Sequence, residues 1–163
     1  MAWTLSIEPY SDVMVLGRRH LTIKLDCISD GSQLAPILLS SFAGWDTLSK
    51  DQKMAISYGR IASLTTVPGT GAAQPLATYD VHFYSGLGAP ILASTGRSIS
   101  SVEIAFPVVT SEVAPNMQGI PYIKITDLGD TGDKTTLYIE VCMSPPDVEE
   151  LIKKAGGSAN LPV

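Results

Sequence analysis

Apolar and polar residues alternate with a period of two along much of this chain, the pattern of strands that bury one face and show the other to solvent or a partner. In His20 to Cys27, Leu21, Ile23, Leu25 and Cys27 share one face, and His20, Thr22, Lys24 and Asp26 share the other. Asp30-Gly31 then turns the chain. Tyr79, Val81 and Phe83 alternate with Asp80, His82 and Tyr84 before the turn formers Ser85-Gly86-Leu87-Gly88. Val102, Ile104 and Phe106 alternate with Glu103 and Ala105, which puts the apolar three on a core face. Pro107 cannot donate to a ladder, so that strand ends there or runs along an edge.

Near the C-terminus Ile123 and Ile125 alternate with Lys124 and Thr126, and Leu137, Ile139, Val141 and Met143 with Tyr138, Glu140 and Cys142. The turn-rich segment Asp127 to Lys134 lies between them and predicts a hairpin. Trp3 to Ile7 and Val13 to Leu16 read as shorter strands, and Ile61 to Val67 as a longer one ending at Pro68-Gly69-Thr70-Gly71. Short strands with regular turn signals and no βαβ rhythm predict an all-β fold of antiparallel sheets, a sandwich or a barrel.

Two stretches depart from the alternation. Leu34 to Tyr58 carries Trp45 and the cluster Ser49-Lys50-Asp51-Gln52, either a short helix capped by Ser49 or a loop folded across one end of the sheets. Ser144-Pro145-Pro146-Asp147 opens a predicted short C-terminal helix, with Glu149 and Glu150 at its positive end and Lys153 and Lys154 before Gly156-Gly157. The expected organisation is one β domain over residues 1–143 and a helix with a flexible tail over 144–163.

Length and composition bear on partners. The 163 residues suit one domain with its own core. Mean hydropathy is +0.21 and only 17% of residues are charged, an apolar balance that points to a surface shared with another protein. A net charge of -5 disfavours nucleic acid; Arg18-Arg19-His20, the tightest basic group, reads as a solvated strand entrance. Cys27 and Cys142 are too few for a disulfide framework and read as buried free thiols of a cytosolic product. The start MAWTLSIEPY lacks the charged and apolar regions of a signal peptide, and no run is long and apolar enough to span a membrane.

The candidates for chemistry each have a plainer reading. Gly129-Asp130-Thr131-Gly132-Asp133-Lys134-Thr135 is phosphate-loop-like, but Asp133 stands where a glycine is needed and a strand follows where a helix is needed. Asp127, Asp130 and Asp133 lack calcium-loop spacing. His20 and His82 sit on polar strand faces outside any catalytic motif, and two histidines with two distant cysteines do not spell a zinc site. No catalytic residue, cofactor or metal is expected.

The order of several segments resembles small structural proteins encoded near the capsid genes of tailed bacteriophages. The residues that carry it are Met1 to Ile7, Val15-Leu16-Gly17-Arg18-Arg19-His20-Leu21-Thr22 with Asp30-Gly31-Ser32, Thr66 to Gly71, Tyr79-Asp80-Val81 leading to Gly86 and Gly88, and the two closing strands around a glycine turn. The resemblance implies a β-sandwich or jelly-roll component of the virion. On this reading it is a decoration or cement protein, a homo-oligomer that binds the major capsid protein or other virion proteins and neither nucleic acid nor membrane. A tail-tube, head-tail connector or fibre-associated role is the first alternative. A carbohydrate-binding module using Trp45, Tyr58 and Tyr84, or a small hydrolase, is the second. Trp3, Leu34, Trp45, Leu161 and Val163 are the candidate partner contacts.

Overall fold

The computed structural model describes residues 2–107 and 117–143. Among these, nine strands follow one another: β1 (Thr4–Val15), β2 (Arg18–Asp30), β3 (Leu34–Leu38), β4 (Arg60–Pro68), β5 (Tyr79–Tyr84), β6 (Pro90–Arg97), β7 (Glu103–Ala105), β8 (Tyr122–Thr126) and β9 (Thr131–Met143), with one α-helix, α1 (Lys50–Tyr58), between β3 and β4. They form two antiparallel sheets, ordered β1-β2-β9-β4-β7 and β3-β8-β5-β6. Apart from the β1–β2 and β5–β6 connections, every link crosses from one sheet to the other. With β1 set aside as an added edge strand, β2-β9-β4-β7 over β3-β8-β5-β6 is the strand order of a jelly roll.

The alternation explains the core. Leu21, Ile23, Leu25 and Cys27 of β2 meet Leu137, Ile139 and Val141 of β9 and Ile61 and Leu64 of β4 on one inner face, and Tyr79, Val81, Phe83, Ile123 and Ile125 form the facing layer. Burial of so many aliphatic and aromatic side chains is the main stabilising contribution. Helix α1 closes one end: Ser49 and Gln52 form a reciprocal capping box, and Ala55 and Ile56 are buried where the helix packs on β2 and β9. Of the two readings of this stretch, the helix is the one formed.

Several expectations are corrected. The predicted hairpin of the last two strands does not exist: β8 pairs with β3 and β5, whereas β9 pairs with β2 and β4. The Asp127 to Asp130 segment therefore crosses between sheets. The two short N-terminal strands are one strand, bent at a register shift between Pro9 and Ser11. Leu34 and Trp45, expected at a partner surface, are core residues at 7% and 8% exposure; apolar side chains of this size bury wherever a sandwich offers an interior. The predicted C-terminal helix, Leu161 and Val163 lie outside the described residues.

Candidate functional site

β1 and β2 form a long hairpin closed by a two-residue turn, Leu16-Gly17, with Val15 paired to Arg18. Both turn residues have positive φ, 51° for Leu16 and 76° for Gly17. Such a turn matches the twist of the strands, and Asn-Gly or Asp-Gly is its usual sequence because glycine and the short polar side chains of Asn and Asp tolerate positive φ, where a bulky apolar side chain is strained. This chain instead puts a leucine at the first position, and that leucine is 97% exposed. Tyr10, Val13, Met14 and Val15 are exposed along the same strand.

The hairpin is anchored below its tip. Arg19 Nε donates to Asp12 at 2.8 Å and its guanidinium reaches Asp51 of α1 at 3.7 Å. Gln52 of α1 also donates to Asp12. The hydrogen bond from Arg19 holds the Asp12 carboxyl below its ordinary range. Of the basic group expected to be solvated, only Arg18 is fully so; Arg19 and His20 are half-buried.

The opposite edge of this sheet is also apolar. Val102, Ile104 and Phe106, expected to face the core, are 61%, 58% and 70% exposed. Among the described residues β7 pairs only with β4, through Leu64, Thr65 and Thr66. Its polar residue turns inward instead: Glu103 forms an ion pair with Arg97 at 3.3 Å and accepts from the Ser98 amide. Alternation identified the residues that share a face; in the structure that face looks out.

No known family, characterised protein or solved structure matches the chain.

A third feature lies close behind the hairpin tip, at His20, which pairs with Val13. His20 of β2 and Cys142 of β9 are register partners, and Glu140 sits two residues back on β9. His20 Nδ1 is 3.4 Å from Cys142 Sγ and 3.8 Å from Glu140 Oε1. Glu140 Oε2 accepts from the Ser63 hydroxyl at 3.4 Å. All three side chains are partly buried. Burial raises the Cys142 thiol above its ordinary value, Glu140 adds to this, and the positive charge of Arg18 opposes it. Cys27 is on the inner face, fully buried, and its thiol is raised by that burial. The expectation of two buried thiols thus holds for Cys27 and not for Cys142. No motif marks the cluster, because His20 and Cys142 are 122 residues apart.

The remaining candidates take structural places. Trp3 is partly buried against the core, and its indole donates to the Ser32 carbonyl. In the acidic loop, Asp133 is buried and accepts from the Asp130 amide at 2.8 Å, while Asp127 is engaged with Gln33. These aspartates tie the crossover to itself and to the segment before β3 instead of converging on one point. With Trp45 in the core, the sugar-binding reading loses its leading aromatic.

Proposed function

We propose that this chain is a structural component of a bacteriophage particle, a decoration or cement protein that binds the outer surface of the assembled shell through the tip of the β1–β2 hairpin. The observation that carries the reading is Leu16. It is unfavourable twice over, as a large apolar side chain in water and as a branched residue in the left-handed region. Local departures of this kind are expected where a surface is shaped for a partner instead of for stability. Val13, Met14 and Val15 extend the same apolar rim, and the ion pairs of Arg19 hold it in place. A preformed rim loses little conformational entropy on docking. Two further considerations support the virion as the setting. One is the resemblance of the segments around Val15 to Thr22 and Thr66 to Gly71 to phage structural proteins. The other is the jelly-roll strand order, an architecture used by viral capsid domains among several other classes and therefore an argument by analogy.

The experiment is co-sedimentation of the purified chain with particles of the virus that encodes it, with Leu16→Asn beside the native protein. Saturable binding of the native chain, weakened at least about tenfold by Leu16→Asn, is expected for a central apolar anchor. Absence of the chain from purified particles, or binding indifferent to Leu16, overturns the reading. Discrete rings or tubes formed by the isolated chain, measured by light scattering, would favour the tail or connector alternative.

A further inference from the structure

The structure assigns to His20, Glu140 and Cys142 a binding site for a divalent transition-metal ion, best Zn2+, that staples β2 to β9 close behind the hairpin tip. The three donor types, imidazole nitrogen, carboxylate oxygen and thiolate sulfur, are those of protein zinc sites. Their donor atoms lie within 4.8 Å of one another. In a tetrahedral zinc site the donors stand about 3.3–3.6 Å apart, given bond lengths of about 2.0–2.3 Å. The His20 Nδ1 to Cys142 Sγ separation of 3.4 Å is already in that range; the 3.8 Å to Glu140 Oε1 and the widest donor separation, up to 4.8 Å, close by side-chain rotation on binding.

The arrangement fits a metal better than a nucleophilic dyad. In a cysteine nucleophile with a histidine base, one ring nitrogen faces the thiol and the other is held by the third group. Here the same nitrogen, Nδ1, faces both the sulfur and the carboxylate, so no relay through the ring is formed, and the three donor atoms are grouped within 4.8 Å. The supports also suit a metal. The two strands are paired in register at His20 and Cys142, which fixes the backbone positions, and Ser63 holds the second oxygen of Glu140, as partners behind a ligand commonly do. Binding converts the Cys142 thiol to a thiolate bonded to the metal, with its proton released to solvent; no electron is transferred. The protein supplies three ligands and the fourth position is left to water.

The test uses the full chain, reduced with a phosphine and titrated with Co2+ as a spectroscopic substitute for zinc. A thiolate-to-cobalt charge-transfer band saturating at one equivalent is expected. It should vanish in Cys142→Ser, and Co2+ and Zn2+ affinity should fall at least tenfold in His20→Ala and Glu140→Gln, all three being checked for native circular dichroism. A readout on the native chain guards against misfolded variants: one equivalent of Zn2+ should protect Cys142 from iodoacetamide, with Cys27, fully buried, as the internal reference. Absence of the band at stoichiometric Co2+, its persistence in Cys142→Ser, or unprotected Cys142 overturns the site. None of these readouts involves a virus particle, so the site and the shell-binding reading can fail separately.

Discussion

The hydroxyl of Tyr79, on β5, lies 2.8 Å from Oγ1 of Thr135, on β9, and both side chains are fully buried. This is a polar contact between the two sheets within a largely apolar core, with Thr66 buried beside it. Burial raises the Tyr79 phenol above its ordinary pKa, with the Thr135 hydrogen bond acting in the opposite direction. Tyr79→Phe leaves Thr135 without its partner and should destabilise the fold by about 1–2 kcal/mol. In a double-mutant cycle with Thr135→Val, the combined loss should be less than the sum of the two single losses. Denaturant unfolding measures both.

Leu16→Asn replaces a strained, exposed leucine with a residue that tolerates positive φ. Stability should be unchanged or rise by up to about 1 kcal/mol, as read by thermal and urea unfolding. A clear fall in stability would mean that Leu16 serves the fold of the isolated chain.

Asp26 contributes to the pH dependence of the larger sheet. Burial pushes its carboxyl up. The hydrogen bond from Thr136 at 2.8 Å and the ion pairs with Lys134 at 3.1 Å and Lys24 at 3.3 Å outweigh that, so its pKa is lowered. A carboxylate whose pKa is lower folded than unfolded stabilises the fold above its unfolded value of about 3.9, and that contribution is lost as pH falls through the folded value. Native stability should therefore drop below about pH 4. Asp26→Asn should be less stable at neutral pH and should show a shallower drop between neutral and acid, measured by urea midpoints across pH.

Gly44 should tolerate no side chain. Its φ is 97°, and a Cβ there would collide with the Ile7 carbonyl oxygen. The neighbouring Ala43 bonds β1 through the amide of Ile7 at 2.8 Å and the carbonyl of Leu5 at 3.1 Å. Gly44→Ala should cost about 2–4 kcal/mol, seen as a lower melting temperature.

Parts of this fold were legible residue by residue. Leu21, Ile23, Leu25 and Cys27 share an inner face because a strand's side chains alternate regardless of what lies opposite, and Ser49 with Gln52 marks a helix start through contacts three residues apart. The candidate sites were much less legible. Leu16-Gly17 was visible as a sequence, but a leucine in that place does not announce a turn; positive φ on both residues would have been inferred from Asn-Gly. Trp45 and Leu34 could be read as contacts only while the sandwich interior that receives them was unknown.

By itself the sequence determined the fold class, most of the strands and which residues of those strands share a face, since these follow from a two-residue period and local turn chemistry; β3 and β6 were not read from it, and β1 was read as two strands. Only the tertiary structure decided which sheet each strand joins. It separated β8 from β9, turned Ile104 outward with Glu103 paired to Arg97, and brought His20 of β2 against Cys142 of β9. The physical reason is range. Alternation acts between near neighbours, whereas strand partners and register are fixed by burying two sheet faces together, a condition that joins residues more than a hundred positions apart.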